Sequence, residues 1–281
     1  MVATPIGNLA DIGLRALQVL SMVDTVACED TRHTAALLQG YGLHKPLLAL
    51  HEHNEAEAAQ TVVQRLQEGQ RVAYVSDAGT PGVSDPGARL VAAVNAAGLR
   101  SLPIPGASSI TALLSVAGHS GWDGHFVFTG FLSPKAAERQ REVQQIGADA
   151  RACVLLEAPH RIEALAKDLG ALGPRMLTVG RELTKQFEEI AHLSAQDFSA
   201  WLQAGAHRTR GEFVLMVHPL AAEAGEAGAL DATALRTLDL LLTELPLKTA
   251  VRLCAEITGQ PRNALYDAAL ARRKAGGETE D

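Results

Sequence analysis

With 281 residues, 47% of them hydrophobic, the chain is long enough for two domains that each bury a core. A formal net charge of −7 excludes wholesale coating of nucleic acid but leaves room for a local basic patch. No uncharged apolar run is long enough to span a membrane, the start does not read as a secretory leader, and Cys28, Cys153 and Cys254 are too dispersed for a disulfide scaffold or a zinc site; a reducing cytoplasm is expected.

The run VATPIGNL at 2–9 opens with only a stub of strand before Pro5 and Gly7, so the first strand reads as shortened. A helix follows near 12–21, then a strand at 25–29 that runs into Glu29, Asp30, Thr31, Arg32 and His33. Asp30 or Thr31 can cap the helix at 34–39. Capping leaves the other polar residues unexplained, and the group is read as substrate-facing. A third strand, 47–50, ends in His51, Glu52, His53, Asn54 and Glu55. Acids suit the first turn of a helix at 55–69, and the two histidines would point to opposite faces, so no metal is expected.

The centre of the chain is the buried strand 72–75 and the loop SDAGTPGVSDPG at 76–87. Asp85 followed by Pro86 reads as the cap and first position of a helix that Gly98 ends. The loop then lies beyond the carboxyl end of a strand, where open α/β sheets bind ligands, with Asp77 facing the ligand. It holds no Lys or Arg and matches no phosphate-cradle pattern, which favours a ligand of hydroxyl, amine or cationic character. A strand at 101–104 and the loop PGASS at 105–109 lead into a helix at 110–117, whose serines could cap it or offer hydroxyls. Strands alternating with helices make residues 1–118 a mostly parallel, doubly wound α/β domain.

A polar, glycine-rich break at 119–124 precedes a second α/β domain, 124–219, with strands at 126–130, 153–157, 176–180, 188–193 and 213–217. Polar clusters sit at strand ends: Glu157, His160 and Arg161; Arg181, Glu182, Thr184 and Lys185; Arg208, Arg210 and Glu212. Residues 220–229 form a low-complexity linker. The remainder, 230–281, is helical: a leucine-spaced helix that Pro246 stops, then helices at 248–258 and 262–271 joined across Gly259 and Pro261 at helix-turn-helix spacing. Six basic residues against Glu256 and Asp267 leave residues 246–274 four charges positive. A packing or dimerisation bundle and nucleic-acid contact both fit.

Six motifs occur in order: VATPIGNL (2–9), CEDTRHT (28–34), YVSDAGTPG (74–82), PGASS (105–109), EAPHR (157–161) and RELTK (181–185). Together they resemble the small-subunit ribosomal RNA methyltransferases of the tetrapyrrole-methylase superfamily over residues 2–217, and the tail resembles that family's C-terminal helix-turn-helix domain. The resemblance implies two α/β domains with S-adenosylmethionine in the cleft between them, usually as a homodimer. It also implies methylation of a cytidine ribose 2′-hydroxyl in the decoding region of small-subunit rRNA, free or in the assembled subunit. By position, Ile6, Asp77, Gly79, Thr80, Pro81, Ser108, Ser109, Glu157 and Glu182 should meet the cofactor. Methyl transfer to a hydroxyl needs alignment and either a base or electrostatic help, for which Lys185, Asp30 and Glu29 are the candidates. Arg32, His33, Lys135, His160 and Arg161 are the candidates for RNA phosphates. A tetrapyrrole precursor or a modified protein residue is the alternative substrate. A non-enzymatic RNA-binding module is the alternative from another class, and it would need neither the Asp77 loop nor the polar strand ends.

Overall fold

The computed structural model describes residues 1–51, 54–118, 124–220, 230 and 232–276. Glu52 and His53, the break at 119–123 and the linker at 221–229 lie outside the described residues. The chain divides into two units, Met1–Leu220 and Ala221–Asp281.

The first unit holds two sheets. In the first, β1 (Thr25–Cys28) lies between β2 (Leu47–Ala49) and β3 (Val72–Val75), all parallel. All four residues of β1 are buried, as a parallel strand covered on both faces requires. One face packs Val26 and Cys28 with Ala16 and Leu20 of α1 (Leu14–Met22) and Leu38 of α2 (Thr31–Gly40). The other packs Ala27 and Tyr74 with α3 (Glu55–Gln67) and α4 (Ala88–Ala96). The strand expected at 101–104 reduces to one bridge, Ile104 with Val2, because Pro103 and Pro105 withhold amide donors from a ladder.

The helix after the central loop begins at Ala88, two residues later than Pro86 would start it, and Asp85 is not its cap. Its amino end is capped from another helix. Glu55, buried at the start of α3, accepts hydrogen bonds on Oε1 from the amides of Gly87 (3.0 Å) and Arg89 (3.1 Å). A carboxylate is well placed there, next to unsatisfied N–H groups and the positive end of the helix. The Tyr74 hydroxyl donates to the Pro86 carbonyl at 3.0 Å, a second tie on the loop.

After α5 (Ser109–Ala117), the second sheet runs β4-β5-β8-β6-β7: β4 (Phe126–Gly130), β5 (Ala152–Glu157), β6 (Met176–Arg181), β7 (Glu189–Ser194) and β8 (Phe213–Val217). Only β4 and β5 pair in parallel; the other pairs are antiparallel. Leu155, Leu177, Val179 and Leu215 face α6 (Ala136–Ala148), α7 (Ile162–Leu169) and α8 (Phe198–Gln203). Val154, Val214 and Met216 on the other face meet Ile110, Leu113 and Ala117 of α5. The helix that closes the first half of the chain therefore packs on the sheet of the second half, which brings the strand ends of both sheets to a shared cleft.

In the second unit, α9 (Ala232–Glu244), α10 (Leu247–Thr258) and α11 (Arg262–Gly276) enclose Ala234, Leu238, Val251, Cys254, Leu265 and Ala269. Lys248, Arg252 and Arg262 are exposed, the latter two within 3.3 and 3.5 Å of the Glu256 carboxylate. No described helix is long and apolar enough to cross a membrane.

Candidate active site

The cleft has a volume of about 390 Å³, within the range of sites for small ligands. The first half of the chain contributes Ile6, Glu29, Asp77, Gly79, Thr80, Val83, Asp85, Ser108 and Ser109. The second contributes Phe131, Leu156, Glu157, Leu183, Lys185 and Glu212. Seven of the nine cofactor residues expected from the sequence line it; Pro81 and Glu182 do not. Two of the three candidates for proton chemistry, Glu29 and Lys185, line it and Asp30 does not.

Asp30 is engaged elsewhere. Its carboxylate caps α2, accepting from the amides of Arg32 (2.7 Å) and His33 (3.4 Å), and pairs with the Arg32 guanidinium at 3.2 Å. The hydrogen bonds from the Arg32 side chain and backbone hold its pKa below the usual carboxylate value. Its own amide donates to Asp77 Oδ1 at 3.1 Å, so the end of β1 orients the carboxylate that follows β3. The Thr80 hydroxyl donates to the Ala107 carbonyl at 3.1 Å and ties the central loop to the serine loop.

Glu157 closes β5 with its side chain fully buried. Oε1 accepts from the Ala158 amide at 2.9 Å and lies 3.1 Å from Arg161 Nε, whereas Oε2 is buried without a hydrogen-bond partner. A buried carboxylate oxygen in that state costs free energy until a donor reaches it. Arg161 also donates to the Leu132 carbonyl, so its guanidinium turns inward and holds Glu157. Arg32, by contrast, has 92% of its side chain exposed, and His33, Lys135 and His160 are exposed too, with Lys135 2.9 Å from Glu138.

Lys185 is held by a strained turn. Glu182 and Thr184 have φ of 51° and 68°, a conformation that costs a non-glycine residue on the order of 1–3 kcal/mol and persists only when its surroundings impose it. Buried Arg181 supplies part of that, donating to the carbonyls of Arg210 (2.8 Å) and Phe187 (2.9 Å). Gly211 supplies more, since a Cβ there would stand 2.3 Å from Glu182 Cγ. Lys185 Nζ donates to Glu182 Oε1 (2.8 Å) and Glu212 Oε2 (3.0 Å). Burial would lower its pKa, but the two carboxylates outweigh it and the net shift is upward. Lys185 is therefore a cation at neutral pH and does not serve as a base there. An ammonium has three N–H donors, and two are directed at these carboxylates.

Asp85 is a lining residue that sequence reasoning read only as a cap. The Asp-Pro pair is a strong capping signature, and only the arrival of Glu55 from α3 frees the Asp85 carboxyl to face the cleft.

A cleft between two α/β layers, lined by carboxylates and apolar side chains and free of a phosphate cradle, suits a cationic ligand with an apolar body and hydroxyl or amine donors. Residues 1–199 match the model of the tetrapyrrole (corrin/porphyrin) methylases, and the chain belongs to that family. Residues 228–273 match the RsmI C-terminal HTH domain. Within the family the chain is similar to ribosomal RNA small subunit methyltransferase I of Pseudomonas aeruginosa, at 46% identity over 97% of this chain and 96% of that protein. Two solved structures share the fold. One is a cobalt precorrin-4 methyltransferase, with a TM-score of 0.59 and 14% identity over 77% of this chain and 92% of the other. The second is a uroporphyrin-III C-methyltransferase of Thermus thermophilus complexed with S-adenosyl homocysteine, with a TM-score of 0.51 and 18% identity over 76% and 94%.

Proposed function

We propose that the protein binds S-adenosylmethionine in this cleft and methylates the ribose 2′-hydroxyl of a cytidine in small-subunit rRNA. The observation that carries the reading is the carboxylate-lined cleft, built without a phosphate-cradle loop, in a chain similar over nearly its whole length to a small-subunit rRNA methyltransferase. When bound, the cofactor supplies a methyl group activated on a positively charged sulfur. The residues present fit it. Glu157 Oε2 offers an unused acceptor to an amine or hydroxyl donor, Asp77 and Glu29 offer negative charge, and Ile6, Val83, Leu156 and Leu183 offer apolar contact.

The rest is done by the chain itself. Asp77, Gly79 and Thr80 shape one wall, with Ser108 and Ser109 beside them. Lys185, kept charged by Glu182 and Glu212, stabilises the negative charge that develops on the acceptor oxygen. Glu182 is thereby a positioning residue. Arg32, His33, Lys135 and His160 present charge and hydrogen-bonding groups on the surface for RNA phosphates, and Arg161 holds Glu157. The active form is a homodimer located in the cytoplasm. Mass spectrometry of small-subunit rRNA from cells with and without the gene tests the reading: one cytidine should lose a methyl group on its ribose in the deletion. Identical methylation in both would refute it.

A further inference from the structure

The half-buried carboxyl of Asp85 lines the cleft, and capping does not occupy it, because Glu55 serves α4. It lines the cleft together with Glu29 from the end of β1 and Asp77 from beyond β3. Its footing is built. Tyr74 holds the Pro86 carbonyl, and Glu55 holds the Gly87 and Arg89 amides, with the Arg89 guanidinium 3.9 Å away. Lys185 enters the cleft from the second sheet. A separate feature of the same cleft points to a ligand there: the fully buried Oε2 of Glu157 has no hydrogen-bond partner.

We propose that Asp85 is the general base of the transfer. Its carboxylate accepts the proton of the acceptor hydroxyl while the oxygen forms its bond to the methyl carbon, and the electron pair of the breaking carbon–sulfur bond stays on sulfur. This role rests on the functional reading above. Burial first, then the Glu29 and Asp77 charges, push the Asp85 carboxyl up to about 6, against a hydrogen bond from Ser76 that lowers it. Such a group is ionised at neutral pH and is a stronger base than an ordinary aspartate. Asp30 is spent on α2 and Arg32, and Lys185 is held in its charged form. Base and cation therefore reach the acceptor from different sheets, one removing the proton and the other stabilising the oxygen.

Asp85→Asn and Asp85→Glu test this with three readouts: single-turnover transfer to small-subunit rRNA, calorimetric binding of S-adenosylmethionine, and melting of the unliganded protein against pH. Asp85→Asn should lower the transfer rate on the order of 10²- to 10⁴-fold at unchanged cofactor affinity. The wild-type rate should rise with pH through about 6, and that limb should vanish in Asp85→Asn. Asp85→Glu should recover part of the rate with the limb retained. The melting readout follows from linkage. The folded pKa lies above the unfolded value of about 3.9, so the wild type loses stability as pH rises through about 4 to 6. Asparagine escapes that loss, so Asp85→Asn should melt above wild type at about pH 8 and the gap should close by about pH 4. Wild-type transfer by Asp85→Asn, parallel loss of rate and cofactor affinity, or a melting difference independent of pH would overturn the role. Wild-type protein that binds the cofactor but leaves small-subunit rRNA unmethylated would overturn the functional reading and this role with it.

Discussion

At the scale of single residues, the cleft depends on two close approaches. Glu157 reaches it as a buried carboxylate with one oxygen held and one unused. Glu157→Ala removes the acceptor and leaves the inward Arg161 guanidinium without its counter-charge. Calorimetry should show cofactor affinity falling by about 1–3 kcal/mol, roughly five- to 150-fold, and unchanged affinity would remove Glu157 from the site. Gly7 is the second approach. A Cβ there would stand 2.3 Å from Lys185 Cγ and 3.0 Å from Thr184 Oγ1, so only glycine lets the lysine stem cross the first loop. Gly7→Ala should therefore mimic Lys185→Ala: kcat drops, by ~100-fold for a displacement near 1 Å, while cofactor affinity holds. A fixed cation also predicts that the Lys185-dependent rate falls only as pH rises through a folded pKa above the ordinary lysine value. A Gly7→Ala enzyme with wild-type kcat would show that the lysine is not positioned this way.

At the scale of elements, the central loop is shaped by a cap that crosses between helices. Glu55 sits 32 residues before Gly87 in the chain, yet its Oε1 satisfies both amides that α4 presents to it. Glu55→Ala removes a cap, which costs about 0.5–2 kcal/mol, and releases the segment that carries Asp77 and Asp85. A lowered melting temperature and weaker cofactor binding should appear together. A stability loss with cofactor affinity intact would show that the loop holds its shape without the cap. The α5 helix has a comparable part in joining the two sheets, since Leu113 is fully buried against β6 and β8 and a Cβ on Gly180 would approach its Cδ1 to 2.8 Å.

At the scale of the whole molecule, a locally basic stretch at 246–274 stands out in a chain of net charge −7. The cleft belongs to Met1–Leu220, and the three-helix unit carries its own core. Deletion from about residue 229 onward should leave cofactor affinity intact and weaken rRNA binding, most visibly at raised salt, where phosphate contacts are screened. Filter binding over a salt series checks this. Equal affinity and equal salt slope with and without the tail would assign the tail to packing or dimerisation.

By itself the sequence determined the alternation of strands and helices, the three-helix tail and most of the cleft. Those features rest on local signals: apolar periodicity, glycine-rich loops at strand ends, and six short motifs in order. Whatever depended on a side chain arriving from far along the chain was decided only by the tertiary structure. Asp85 reads as a cap until Glu55 takes that place, and Arg161 reads as a phosphate ligand until Glu157 draws it inward. The apparent strand at 101–104 shrinks to one bridge once its prolines meet a neighbour that needs donors. Lys185 changes from candidate base to fixed cation between its near neighbour Glu182 and Glu212, 27 residues away in the chain. Charge state and capping are settled by the groups that pack nearest, and a local pattern carries no information about which distant residues those will be.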